Sequence, residues 1–265
     1  MSAQVAAAGA IFRRDLRLFT SARAGIAGQA ASLVVTLALF HFLSRLLRVS
    51  RFDSADAYFA YVVVGLVILA VIYSMVSLTE TLRAELLSGS FERMVLSAFG
   101  PVLGTMSMCL FPMVRAMLVA VWAVAVAVAF FGLDLDWPTA LLALPAGALA
   151  AIAFSGIALA VASLVVAFKQ APGMSLVVAG IALVSGLYFP TDLLPSWLRW
   201  LSEVQPFTPA VELMRHLLVG LPVPDPTWVY LLKLAVFGAV LVPLAAWMMS
   251  RAVQRGYRRG TILEY

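Results

Sequence analysis

Charge is scarce in this chain. Lys and Arg number 18 and Asp and Glu 13 among 265 residues, 12% together, against about 25% in soluble domains. A soluble globule of this length has too small an interior to hide the 63% of residues that are hydrophobic. With mean hydropathy at +1.02, the composition excludes a soluble domain, a disordered chain and a disulfide scaffold, and implies a polytopic membrane protein. Lysine is nearly missing: only Lys169 and Lys233 occur, so the net charge of +5 rests on arginine. Arginines of this kind read as topology signals rather than as a basic groove for nucleic acid. The one cysteine, Cys109, allows no internal disulfide.

Six stretches are apolar for long enough to cross a bilayer core of about 30 Å. They are Ile26–Leu47, Tyr58–Thr79, Leu110–Phe131, Thr139–Phe168, Gly173–Phe189 and Thr227–Met249. From Pro101 to Leu133 almost no charge intervenes except Arg115, too long a run for one straight span. Pro112 offers a break, with the part before it in the interface or on the cytosolic side. With the N-terminus inside, eleven Lys and Arg fall in cytosolic segments (among them Arg13, Arg14, Arg17, Arg83, Arg93 and Arg255) and six fall outside, Arg215 and Lys233 included. Six spans with both ends inside follow from that bias.

No secretory signal is legible in MSAQVAAAGA, which lacks a basic region ahead of a short apolar one. Residues 8–22 instead form an amphipathic helix for an anionic membrane surface. Ile11, Phe12, Leu16 and Phe19 share one face, and Arg13, Arg14 and Arg17 another. No repeat or low-complexity linker divides residues 1–265, so they form one membrane domain.

Two connections are longer than a turn requires. Residues 81–100 carry a charged cytosolic segment around Ser88-Gly89-Ser90. Residues 190–220 contain helix punctuation: Thr191 and Asp192 can cap a helix through Trp197 and Trp200, which Pro206 ends. Thr208-Pro209 starts another, which passes Arg215 and stops near Gly220. Each is about 12 residues, too short to span. A helical hairpin dipping into the outer leaflet satisfies its own backbone there.

Motifs for chemistry are absent. There is no HExxH, no Asp-rich metal motif, no GxSxG and no GxxxxGK[ST] phosphate loop. His41 and His216 are isolated and read as satisfied interfacial side chains, and Asp134 and Asp136 read as a cap for a helix starting at Trp137-Pro138. The spans hold essentially no carboxylate, as an ion-coupled carrier would need. Arg115 is the one deep charge, either within the membrane or snorkelling to the inner interface. The small residues Gly147, Ala151, Ser155 and Gly156 in the fourth span read as a packing face. Transport, if any, draws its energy from another chain.

Taken together, this layout resembles the permease subunit of type-2 ABC exporters over essentially the whole chain. The most specific part runs from Gly186 to Leu218: Tyr188-Phe189-Pro190, then Leu194-Pro195-Ser196-Trp197-Leu198, then Pro206 through Glu212 and Arg215. In the first cytosolic loop Arg83, Glu85, Gly89, Ser90, Phe91 and Glu92 match the family's R-x-x-G-T-L-E pattern loosely, with Ser-Phe in place of Thr-Leu and one extra residue before Gly89. The resemblance implies an all-α membrane protein of six transmembrane helices with an N-terminal interfacial helix, a cytosolic coupling helix and a re-entrant outer hairpin. It implies no catalytic residue and no cofactor in this chain, with ATP and Mg bound by a separate ATP-binding subunit, two copies of which would serve a pair of permeases. The Arg83–Met94 helix would couple to that ATPase, with Glu85, Glu92 and Arg93 as charges and Leu86, Leu87, Phe91 and Met94 as apolar anchors. Tyr188, Phe189, Pro190 and Trp197 would form an outer gate. The cargo would be an amphipathic molecule (drug-like, lipid or lipid-linked glycan) leaving across a prokaryotic cytoplasmic membrane. A membrane enzyme acting on lipid, and a passive channel or scaffold subunit, are the competing classes.

Overall fold

Within hydrocarbon a backbone has no water to bond, so long apolar runs satisfy their N–H and C=O groups by forming helices. The computed structural model describes residues 2–46, 52, 54–96, 100–168, 174–188 and 191–259, and among them every regular element is helical. In chain order these are α1 (Ser2–Ser21), α2 (Arg23–Leu46), α3 (Ala55–Leu87), α4 (Ser90–Leu96), α5 (Pro101–Met108), α6 (Leu110–Phe131), α7 (Trp137–Ala140), α8 (Ala143–Phe168), α9 (Met174–Val184), α10 (Ser196–Glu203), α11 (Phe207–Val219) and α12 (Thr227–Arg259). Among the described residues five stretches are long and apolar enough to cross a membrane: α2, α3, the α5–α6 pair, α8 and α12 up to Gly256. Of the six stretches expected, the fifth is described only as the 11-residue α9, about 16 Å of helix.

Element ends follow local chemistry. Ser54 caps α3, its hydroxyl accepting from the Ala57 N–H at 3.0 Å. The break expected at Pro112 falls at Cys109, between α5 and α6. A proline ring clashes with the carbonyl four residues before it, here Met108, and α5 ends at that residue. Pro112 itself then sits in the first turn of α6, where a missing N–H costs nothing. The fourth span also starts later than expected, because a turn at residues 141–142 separates α7 from α8.

Central positions go to α3 and α8, whose apolar windows are mostly buried, whereas little of α2, α6 and α12 is buried and they form the flanks. The small residues of α8 pack within the chain, Gly147 toward Met117 of α6 and Met214 of α11, and Gly156 against α12. At Gly156 an added Cβ would lie 2.7 Å from the Leu241 Cβ and 2.9 Å from its carbonyl carbon, so glycine sets the depth of that crossing. Both α1 and α12 pack on α5, which places the N-terminal helix and part of the last helix at one end of the bundle. We expect Gly156→Val to destabilise the purified protein by about 1–3 kcal/mol through overpacking, read as a lowered thermal midpoint in detergent. Gly180→Ala, inside α9 with open space around it, should not lower that midpoint and should raise it slightly, since Ala is favoured over Gly in a helix by up to about 1 kcal/mol.

Candidate functional site

Two places concentrate polar interactions, and α3 joins them. The first is an elbow at the end of α3. A single coupling helix over Arg83–Met94 was the expectation; instead α3 runs to Leu87, the chain turns at Ser88-Gly89, and α4 begins at Ser90. Gly89 has φ of +69°, a left-handed value that a side chain resists. The apolar residues expected to face a partner point inward: Phe91 is 0% exposed and Leu86 is buried, while Met94 lies against Gly104, where a Cβ would collide with its thioether. Arg83, Leu87 and Arg93 are exposed, and Glu92 is partly so. Phe91 therefore locks α4 to the core, and the exposed surface of the elbow is charged with one exposed leucine.

Glu85 is the polar hub of the elbow. One carboxylate oxygen pairs with the Arg14 guanidinium at 2.6 Å, and the Ser90 hydroxyl donates to the other. Arg14 also pairs with its neighbour Asp15 at 2.8 Å. Burial pulls the Arg14 guanidinium down, but the Asp15 and Glu85 carboxylates outweigh it and raise it above the ordinary arginine value. Burial, aided by Glu85, raises the Asp15 carboxyl despite Arg14 beside it. The expected interfacial helix of residues 8–22 is thus the greater part of α1, and it is fastened to the elbow. Arg13 and Arg17 are exposed, while Phe12 and Phe19 meet Phe111 edge-on at 6.1 and 5.5 Å.

The second place is a buried arginine that sequence counting had assigned to the outer loops. The expected hairpin at residues 190–220 is resolved into a 3-10 turn at Thr191–Leu193, then α10 and α11. Its first helix does not run on from Thr191. Pro195 disfavours a helical Leu194, and α10 starts after it at Ser196. The second helix matches its expected bounds, ending at Gly220 with φ of 65°. It lies almost wholly inside the bundle, with Arg215 only 4% exposed. Its Nε donates to the Tyr61 carbonyl at 3.1 Å and an Nη donates to the Leu187 carbonyl at 2.9 Å. The guanidinium carbon lies 3.3 Å from the centre of the Tyr61 ring, and the Tyr61 hydroxyl donates to the Gly186 carbonyl at 3.1 Å. Leu187 reaches this position because Gly65 carries no Cβ, which would collide with the Leu187 carbonyl oxygen. An Arg inside an otherwise apolar stretch, three residues after Glu212, was the available signal.

Residues expected at the outer gate are placed in part. Tyr188 stacks on Phe40 of α2 with centroids 6.3 Å apart, and Trp197 is 69% exposed on α10. Phe189 and Pro190 lie outside the described residues. Asp136 stands at the start of α7, but its side chain does not cap the helix: the carboxylate accepts from the Thr139 hydroxyl at 3.0 Å, and the backbone N–H donates to the Leu218 carbonyl at 2.8 Å. His216 has Nδ1 3.0 Å from the Leu221 carbonyl oxygen, and His41 packs against Phe59 at 4.9 Å. Beside the Arg215 node, an apolar cavity of 440 Å³ opens between α3, α6, α8 and α11, walled by Val67, Val124, Leu144, Gly147, Phe154 and Met214.

Five span-length apolar stretches among the described residues define a multi-pass membrane protein. Residues 7–219 match the family described as ABC-2 type transporter, and the chain belongs to that family. It is accordingly an ABC transporter permease subunit, a membrane component of transport, and membrane domains of this kind work with ABC ATP-binding subunits. A comparison with curated proteins found no match.

Removing the buried guanidinium leaves the Leu187 carbonyl without its donor in a buried site, while the Tyr61 carbonyl keeps its bond within α3. Arg215→Met should lower the unfolding free energy by at least about 2 kcal/mol, with Arg215→Lys intermediate because a compact ammonium cannot reproduce the forked geometry. Arg93→Gln on the exposed elbow should stay within about 0.5 kcal/mol of wild type. Reversible denaturation in mixed micelles reads all three.

Proposed function

We propose that the chain is the membrane half of an ATP-driven exporter, in which two such chains pair and each docks one ATP-binding subunit on the elbow between α3 and α4. The observation that carries this proposal is the elbow itself. Its exposed tip (Arg83, Leu87, Arg93) is continuous with residues locked into the core (Leu86, Phe91). A displacement of the tip has a rigid path inward along α3. From Glu85 to Tyr61 that one helix covers about 36 Å and ends at the Arg215 node.

A sixth crossing is supported by where the chain stands at Leu187. α9 follows α8, and the turn after it lies beside Tyr61 and Gly65, near the start of α3. An even number of crossings agrees with α1 and α12 both packing on α5. With the larger number of basic residues inside, the elbow and both termini face the cytosol, here of a prokaryotic cytoplasmic membrane. The apolar cavity beside the node favours an amphipathic cargo, with the α10–α11 hairpin and Tyr188 at its exit. Outward transport follows the family resemblance, and Mg-ATP stays on the partner.

Co-purification with the cognate ATP-binding subunit tests the docking face. Leu87→Asp with Arg93→Glu should abolish the complex while the permease keeps its thermal midpoint. Phe91→Asp should lower the yield of folded permease, because it places a charge in the core. A complex that survives the Leu87/Arg93 change intact overturns the docking assignment. In the reconstituted pair, ATPase stimulation by amphipathic compounds but not by polar sugars would support the cargo class, and the reverse pattern would overturn it.

A further inference from the structure

Arg115 belongs to neither the elbow nor the Arg215 node, and its surroundings point to a ligand. Its side chain lies in a groove of 800 Å³ between α2, α3 and α6, toward the upper end of the ~300–1,000 Å³ range of ligand sites. One Nη donates to the Gln29 side-chain oxygen at 2.6 Å, and the guanidinium carbon is 5.3 Å from the centre of the Phe19 ring. Its Nε is buried and has no hydrogen-bond partner among the described residues. Among the described residues no Asp or Glu lines the groove. A guanidinium stays charged, so this groove holds one positive charge that no lining carboxylate compensates.

The rest of the groove is apolar and opens on the flank of the bundle. Leu33 and Leu69 line it beside Leu118 and Trp122, and Leu118 is 63% exposed, as suits a wall facing hydrocarbon. Contacts with Phe19 and Gln29 place the charge at the end of the groove nearest α1, and the leucines continue along the helices away from it. A cation at one end of an apolar furrow matches a molecule with an anionic head and a hydrocarbon tail.

We propose that this groove is a binding site for an acidic phospholipid, with its phosphate on Arg115 and Gln29 and an acyl chain along Leu33, Leu118 and Trp122. Binding requires neither ATP nor a partner, so the proposal stands or falls independently of the exporter assignment.

The test is tryptophan quenching in the full chain reconstituted into nanodiscs of phosphatidylcholine doped with brominated lipid. Subtracting the signal of a Trp122→Phe chain isolates the groove. Brominated phosphatidylglycerol should quench the Trp122 component at about fivefold lower mole fraction than brominated phosphatidylcholine, the preference expected of one arginine near the surface. Arg115→Gln should erase that preference and Arg115→Lys should keep part of it. Gln29→Glu, which neutralises Arg115 without removing it, should also erase it and covers the case in which Arg115→Gln fails to fold. Equal quenching by the two lipids in the wild-type chain, or a preference unchanged in a folded Arg115→Gln or Gln29→Glu chain, overturns the proposal. So does a Leu118→Cys chain that oxidises to a dimer while neither lipid quenches Trp122, since a second copy would then fill the groove.

Discussion

A guanidinium cannot shed its proton inside a protein, so a chain that buries one has to bring acceptors to it. Arg215 imposes that constraint here, and much of the tertiary structure is arranged around meeting it. Its two acceptors come from α3 and from the turn after α9, elements with no local reason to meet. For the Leu187 carbonyl to arrive, α3 has to be bare at Gly65. For the guanidinium to lie on the Tyr61 ring, α11 has to run inside the bundle rather than along its outer rim. Around the same point the Gln205 amide donates to the Ser185 hydroxyl at 3.0 Å, which ties the α9 turn to the start of α11.

The remaining architecture divides into a stiff centre and looser flanks. α3 and α8 are packed on most sides, and the Gly156 crossing sets α12 firmly against α8. α2 stands apart, held mainly by α3 and α6, and that separation leaves the groove containing Arg115 open. α1 is fastened through Arg14 to Glu85 and through Phe12 and Phe19 to Phe111. A helix expected to rest on a membrane surface is therefore also a brace for the elbow. Loads applied at Leu87 or Arg93 meet α1, α4 and the core together.

Features governed by near neighbours are legible in the amino-acid order alone. The bounds of α11, its stop at Gly220 and the amphipathic α1 follow from caps and periodicity within a few residues. Where local signals compete, positions shift. The break assigned to Pro112 falls back at Cys109 because the ring obstructs the carbonyl at Met108. The helix expected from Thr191 splits at Pro195. Phe91 and Met94 read as partner anchors because an apolar residue beside charges on a short helix looks the same whether its face meets a core or a partner. Arg215 counts with the outer charges because hydropathy treats every arginine as a surface residue.

Composition and apolar run length alone determined that this is a multi-pass helical membrane protein and where five of its long apolar stretches lie. These properties sum over windows of about 20 residues and need no knowledge of what lies across the bundle. Tertiary structure decided which charges are buried, which loop residues are structural and which remain open to a partner. Arg215 makes the reason explicit: its acceptors are 154 and 28 positions away in the chain. The free energy that permits a buried charge comes from residues that only folding brings within reach. The scarce charge of this chain thus resolves into arginines with separate environments: Arg215 satisfied by backbone, Arg14 by carboxylates, and Arg115 bonded to one amide.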